Sequence, residues 1–258
     1  MYNQPEIHWY HGRIDPCTTL ISCDGNYFRE HASPFIQSCS EQGEHVHLHV
    51  INPDKDTFEM MNVLKCFEKL SMSYEENSPR DRVYYACNRF IVASVLLNQT
   101  GVFNLMISDV DALLMRPWKY PNEPIGLFLR EPLEGTIGWE KEGTKIAAGL
   151  VYLQNTEENR LYMGRVADYI MYEKQPQWFL DQIALNACKK YITSPIHVFD
   201  NRTMDWEFSP DSTMWTGKGD RKYKDVKYLA KKREFFDKML GSIMTHEFNS
   251  WLADHEQA

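Results

Sequence analysis

Three features are missing from this sequence, and each absence argues against a kind of protein or site. No stretch approaches the roughly 18 uninterrupted apolar residues that a membrane-spanning helix requires. Basic residues are outnumbered, with 28 Lys and Arg against 36 Asp and Glu, and the net charge of −8 disfavours binding to nucleic acid through bulk charge. The six cysteines form no CxxC pair, so we expect free thiols in a reducing compartment.

The opening residues also lack a basic leader and an apolar core, so we expect no signal peptide and a cytoplasmic protein.

Strand-like and helix-like segments alternate along the chain. The short apolar runs that predict strands are 18–23, 44–51, 102–108, 125–129 and 146–153, and the longer stretches that predict helices are 54–70, 80–98 and 156–173. With no repeat or low-complexity linker in its 258 residues, the sequence predicts one α/β domain, in which helices flank a mixed, mostly parallel central sheet.

The most informative motif is Asp-Val-Asp at 109–111, which directly follows the apolar run ending at Ser108. The alternation of side chains along a strand places Asp109 and Asp111 on the same side where that strand ends. Carboxylates at this spacing can share a hard divalent cation, and α/β sheets bind ligands at the ends of their strands. The alternative interpretation is a polar strand end with two solvated acids.

A second motif closes the first predicted strand, where Asp24, Gly25, Asn26 and Tyr27 follow one another. An acid, an amide and an aromatic ring at this place are suited to bonding a base and ribose and to stacking on the base. An ordinary Asp-Gly-Asn turn is the alternative.

Three later segments complete the pattern: AAGLVYL at 147–153, FLDQIALN at 179–186 and WTGKGDRK at 215–222. In their order and spacing, the five motifs resemble those of the nucleotide-sugar glycosyltransferases of the GT-A fold. The resemblance is to the group containing glycogenin and the bacterial lipopolysaccharide galactosyltransferases. In that group an Asp-x-Asn-Tyr-like turn holds the nucleotide, and a mid-chain Asp-x-Asp holds manganese on the donor diphosphate.

The resemblance implies a single Rossmann-like GT-A domain over 1–258. Its parts would be a nucleotide-binding half at 18–115, an acceptor half with a phosphate loop at 116–222 and a helical tail at 223–258. It implies transfer of a sugar from a nucleoside-diphosphate sugar of the UDP class to a glycan, a lipid-linked saccharide or another hydroxyl acceptor. It places Mn²⁺ or Mg²⁺ on Asp109 and Asp111. The residues that it implies for donor binding are Asp24, Asn26, Tyr27, Arg89, Ser108, Asp109, Gly217, Lys218 and Arg221.

Such a transfer develops negative charge on the leaving phosphate, which the metal together with Lys218 or Arg221 would stabilise. Asp181 is the predicted base of an inverting enzyme, because it opens a helix near the expected sugar site. In a retaining enzyme, Asp181 or Gln182 would instead lie beside the anomeric carbon. Arg89 either bridges to the donor or is a surface arginine on an amphipathic helix. We expect Trp139 and Trp178 to contact the acceptor.

Two positions depart from the family pattern. Met214 stands where the family has a histidine that ligates the metal, and a thioether is a poor ligand for manganese or magnesium. Ala147 stands where the family often has an asparagine near the sugar, so the identity of the sugar is open.

Two further segments are unusual in composition. Residues 218–238 contain nine basic residues against four acids; we expect a phosphate clamp followed by a solvated helix face, with contact to an anionic membrane as an alternative. The three histidines at 45, 47 and 49 predict a half-exposed sheet face rather than a zinc site, because one strand rarely closes a tetrahedron.

Two other functions stay open. A phosphatase of the haloacid-dehalogenase type could use Asp109 and Asp111 as nucleophile and acid, although that family has the motif near its first strand. A non-catalytic nucleotide- or glycan-binding domain is the second, because Met214 and Ala147 depart from the pattern.

Overall fold

The computed structural model describes residues 2, 5–99, 101–130, 143 and 145–255, with the backbone alone for 247–255. The described residues form eleven strands in two sheets. They are β1 His8–His11, β2 Cys17–Asp24, β3 His45–Ile51, β4 Leu70–Glu75, β5 Asn104–Ser108, β6 Ala112–Leu114, β7 Ile125–Leu129, β8 Ile146–Gln154, β9 Ile196–Val198, β10 Met204–Asp205 and β11 Met214–Thr216. The main helices are α1 Ser33–Glu41, α2 Lys55–Leu64, α3 Arg82–Gln99, α4 Glu157–Tyr172, α5 Leu180–Cys188 and α6 Val226–His255.

The central sheet has eight strands in the order β1-β4-β3-β2-β5-β8-β7-β9. Its middle, β4-β3-β2-β5, is parallel, whereas β1 and β8 join antiparallel to their neighbours. A small second sheet has the order β10-β11-β6. Apolar side chains of α3, α4 and α5 cover one face of the central sheet, and those of α1, α2 and α6 cover the other. The predicted fold class, a mixed and mostly parallel sheet flanked by helices, is confirmed.

The order of the strands creates a switch point beside β2. From β2 the chain proceeds to β3 and β4 on one side and later returns to add β5 on the other side. At such a point the loops that leave the two neighbouring strands diverge, and a crevice opens at their carboxyl ends. The ends of β2 and β5 are where the acidic motifs lie, so the topology brings the two motifs to the same edge of the sheet.

The helix predicted at 54–70 is shorter than the sequence pattern indicates. Asp54 caps it, since its Oδ1 accepts the backbone N–H of Thr57 at 2.9 Å. The predicted extension to residue 70 is wrong, because the helix ends at Leu64 and β4 begins at Leu70. Strand β4 alternates apolar and polar residues, and its polar side chains are buried against β3.

The predicted half-exposed histidine face is also wrong. His47 and His49 are fully buried, and their ring nitrogens bond the hydroxyls of Ser71 and Ser73 at 2.8–2.9 Å. Burial lowers the pKa of His47 well below its ordinary value. The two histidines therefore form a polar seam between β3 and β4, and a neutral imidazole suits His47 because it offers one donor and one acceptor to the two serines.

The basic C-terminal segment begins beside the second sheet and continues along α6. Phe235 and Met239 of this helix are buried against the domain. On the outer face, Lys231 and Lys238 both pair with Glu234 at 2.8–2.9 Å, and such exposed pairs leave a solvated helix face. Among the described residues no helix combines the length and apolar character needed to cross a bilayer.

Candidate active site

The end of β2 supplies the first group of the site. Asp24 terminates the strand, and its Oδ1 accepts the backbone N–H of Tyr27 at 2.8 Å, which caps the short helical turn Gly25–Tyr27. This cap directs the ring of Tyr27 across the edge of the sheet, where 37% of the residue remains exposed. The buried imidazole of His31 lies behind that ring, with centroids 5.1 Å apart.

The end of β5 supplies two carboxylates. Asp109 and Asp111 follow the strand, and their side chains are 34% and 12% exposed. The backbone carbonyl of Asp111 accepts a 2.7 Å hydrogen bond from the hydroxyl of Tyr228, which fixes the turn between β5 and β6. Gly149 of β8 passes so close that an added Cβ would lie 2.8 Å from Oδ2 of Asp109. One side of the Asp109 carboxylate therefore lies against the backbone of β8.

Arg89 links these carboxylates to the second half of the fold. It is 5% exposed on α3, and its Nη2 lies 3.0 Å from Oδ1 of Asp109 and 3.2 Å from Oδ2 of Asp181. Burial acts to lower the pKa of this guanidinium, but the two carboxylates outweigh burial and raise the pKa. Arg89 is thus a buried bridge and not a surface arginine.

Asp181 reaches the site from the first turn of α5. Phe179, just before the helix, adopts the left-handed conformation with φ 71°, and this sharp turn brings the start of the helix toward the sheet. Oδ1 of Asp181 accepts the backbone N–H of Gln182 at 2.8 Å. Burial raises the pKa of Asp181, although Arg89 opposes the rise. The neighbouring Gln182 accepts a hydrogen bond from Arg130.

Lys222 completes the group from the other end of the chain. Its Nζ lies 2.6 Å from Oδ2 of Asp111 and 2.9 Å from the hydroxyl of Tyr27, so it joins the ends of β5 and β2. Only 13% of its side chain is exposed. Burial acts to lower the pKa of Lys222, but the carboxylate of Asp111 outweighs burial and raises the pKa. The sequence analysis assigned no role to Lys222, although it is the last residue of the WTGKGDRK motif and belongs to the basic segment.

The late glycine and lysine loop lies beside this group. Lys218 is positioned 4.7 Å from the centroid of the Trp206 ring. Arg221 donates to the backbone carbonyl of Trp206 and to the carboxylate of Glu207, each at 2.5 Å. Burial lowers the pKa of Lys218, and so do the positive charges of Arg130 and Arg221. Lys218, Arg130 and Arg221 therefore lie near one another, and the charge of Arg130 also acts on Asp181.

Other predicted residues stand apart from this centre. Asn26 accepts a 2.7 Å hydrogen bond from Arg29, which is itself paired with Asp54. Trp178 is 60% exposed beside Phe179, and Trp139 lies outside the described residues. Ala147 is buried opposite Phe128 of β7.

The predicted metal fits these residues poorly. Each carboxylate of the Asp-Val-Asp motif is already within 3.0 Å of a cation, Arg89 or Lys222. Met214 is fully buried, and its sulfur accepts a 3.3 Å hydrogen bond from Ser108. Within the described part of the chain, no three His, Cys, Asp or Glu side chains are grouped so that they could hold an ion. Two carboxylates and a thioether are a weak donor set for a hard cation that prefers six oxygens.

No protein-family model matches the sequence, and no curated protein matches it either. Solved structures do match the fold. The glycosyltransferase GlyE of Streptococcus pneumoniae has a TM-score of 0.57 and 8% identity over 90% of this chain. The galactosyltransferase LgtC, solved in complex with donor and acceptor sugar analogues, has a TM-score of 0.58 and 12% identity over 87% of this chain and 95% of its own.

The bifunctional glycosyltransferase WbbM matches with a TM-score of 0.54 and 11% identity over 91% of this chain. The chain spans 64% of GlyE and 51% of WbbM. At such low identities the likeness concerns the fold, and the chain has the GT-A-like fold that the sequence motifs predict.

Proposed function

We propose that this protein transfers a sugar from a nucleoside-diphosphate sugar of the UDP class to a hydroxyl group of a glycan or lipid-linked saccharide. The observation that carries the proposal is the charged group at the switch point. Asp109, Asp111 and Asp181 converge there with Arg89 and Lys222 between the ends of β2 and β5. The fold supports it, because the glycosyltransferases GlyE, LgtC and WbbM share that fold.

The donor would lie across the two strand ends. Tyr27 offers an aromatic ring for the base, and Asp24, which caps the same turn, would lie near the ribose. The diphosphate would then face the basic groups, Lys222 at the centre and Lys218 and Arg221 on the late loop. Placed where negative charge develops, such cations lower the barrier electrostatically.

The reaction requires one bond to break and one to form. The bond between the anomeric carbon and the diphosphate oxygen breaks, and its electron pair leaves with the diphosphate. The acceptor hydroxyl oxygen forms the new bond and loses its proton. In an inverting enzyme Asp181 takes that proton, and its raised pKa suits the role. In a retaining enzyme Asp181 or Gln182 lies beside the anomeric carbon, and the departing diphosphate takes the proton.

The acceptor side is the less defined half. Trp178 is exposed next to α5 and offers a surface for a sugar ring. Trp139 stays a sequence-based prediction, as do a cytoplasmic location and contact of the basic C-terminal segment with an anionic membrane.

Incubation of the full chain with UDP-, GDP- and dTDP-sugars tests the proposal, with release of nucleoside diphosphate as the readout. Parallel samples contain MnCl₂ or EDTA. We expect release from at least one donor. We expect Asp111→Asn to lower that release by about tenfold, because a charge-assisted contact to Lys222 becomes a neutral one.

The matched control is Asp168→Asn on α4, whose carboxylate is exposed and 3.9 Å from Arg165; its release rate should equal that of the unmodified chain. Hydrolysis of p-nitrophenyl phosphate would favour the phosphatase instead. Binding of nucleotide sugar without release would favour a non-catalytic domain. If no sample shows either release or binding, the proposal of sugar transfer is contradicted.

A further inference from the structure

Lys222 lies where a cation shared with the Asp-Val-Asp motif would bind. Its ammonium group is 2.6 Å from Asp111 and 2.9 Å from Tyr27, so one positive charge contacts both strand ends that frame the crevice. The ion pair is largely withdrawn from water, with 13% and 12% of the two side chains exposed. A buried pair of this kind is screened little by salt, so its attraction persists at physiological ionic strength.

The backbone around Lys222 is shaped to hold it there. Gly217 directly follows β11. A Cβ added to it would lie 3.0 Å from Cα of Lys222 and closer still to Cβ of Lys222. Only a residue without a side chain lets the end of β11 pass against the short turn Arg221–Lys224. The close approach fixes where the lysine side chain begins, and Asp111 and Tyr27 fix where it ends.

We propose that the ammonium group of Lys222 is the cation that binds the donor diphosphate beside Asp109 and Asp111, so that donor binding needs no divalent metal. This inference rests on the proposed function and specifies how the same site holds its substrate.

The hydrogen-bonding capacity of the ammonium group supports this role. An ammonium group has three N–H donors. Within the described chain two acceptors, Asp111 and Tyr27, take its hydrogen bonds. The third N–H is then available to a phosphate oxygen in the crevice. Arg130, Lys218 and Arg221 lie near one another and would supply further positive charge to a diphosphate that extends to them.

The same contacts disfavour a metal ion. An ion bound to Asp111 would have to displace Lys222 from a 2.6 Å ion pair and leave its charge in a poorly hydrated place. It would also lack the third protein ligand, because Met214 presents a buried sulfur that is already bonded to Ser108. A cation built into the chain avoids both costs.

Calorimetric titration of UDP into the full chain tests the inference. The protein is first treated with EDTA and then titrated with and without MnCl₂. We expect UDP to bind equally well in both samples. We expect Lys222→Met to weaken binding by about 10- to 100-fold, the range for loss of a charge-assisted hydrogen bond. Lys222→Arg should retain most of the affinity, because it keeps a cation.

Lys224→Met is the matched control, since Lys224 lies in the same turn, is 73% exposed and pairs with Asp220. Its affinity for UDP should equal that of the unmodified chain. A separate titration of MnCl₂ alone gives a readout that does not depend on nucleotide. We expect no binding of Mn²⁺ to the unmodified chain, and detectable binding to Lys222→Met, in which Asp111 has lost its partner.

The outcomes separate this inference from the proposed function. UDP binding that requires Mn²⁺, or that Lys222→Met leaves unchanged, overturns the role of Lys222 while sugar transfer stands. Tight binding of Mn²⁺ to the unmodified chain overturns it as well. Failure of UDP, GDP and dTDP to bind under both conditions overturns the proposed function and this inference together.

Discussion

Replacing Arg89 with methionine is expected to lower the free energy of unfolding by about 3–5 kcal/mol, the usual effect of removing one partner of a buried ion pair. Methionine fills similar space but leaves the buried carboxylate of Asp181 and the half-buried one of Asp109 without their shared cation. The variant also loses donations to the backbone carbonyls of Ala86 and Ala148. Nucleoside diphosphate release should fall by about 10²- to 10³-fold, because the charged group loses a fixed donor.

Urea unfolding measures the first effect, and the donor assay measures the second. Arg165→Met provides the control, since Arg165 is 52% exposed and lies 3.9 Å from Asp168 on the same helix. The control should cost less than about 1 kcal/mol, as exposed pairs do. Equal losses for both variants would contradict the bridging role of Arg89.

Asp181→Asn is expected to lower kcat by about 10²- to 10⁴-fold, the range for loss of a general base. The substitution keeps the shape of the side chain and the oxygen that accepts the backbone N–H of Gln182 at 2.8 Å. The start of α5 should therefore keep its conformation. Because the proposed contact is with the reacting centre and not with the nucleotide, the affinity for UDP should stay unchanged.

Steady-state kinetics with the active donor, together with UDP titration, separates these effects. A fall in UDP affinity with kcat preserved would place Asp181 in donor binding instead of chemistry. An unchanged kcat and affinity would exclude it from the site.

Much of the fold could be predicted because the central strands are short, mostly apolar runs. Strands β2, β5 and β8 bury nearly every side chain, and such runs indicate strands that are covered on both faces of a sheet. Strand β4 was missed because its serines read as polar. Their burial depends on hydrogen bonds to His47 and His49 of β3, and no local pattern records a partner on another strand.

The site residues were also predictable only in part. Asp24 ends β2, and Asp109 and Asp111 come just after β5, so the rule that ligands bind at strand ends identified them. Lys222 lies 111 residues from Asp111 along the chain, and its place depends on a close backbone approach at Gly217. A three-dimensional contact of that kind has no signature in residue spacing. The sequence left Arg89 either as a bridge to the donor or as a surface residue for a related reason. Its side chain is buried through contacts with Ala148 of β8 and Asp181 of α5, which are distant along the chain.

The most direct measurement is a crystal structure of the full chain with UDP bound. We expect the diphosphate between the ends of β2 and β5, with a phosphate oxygen about 3 Å from Nζ of Lys222 and the uracil beside Tyr27. UDP bound anywhere other than at this edge of the sheet, with the Lys222 and Asp111 pair undisturbed, would contradict this expectation.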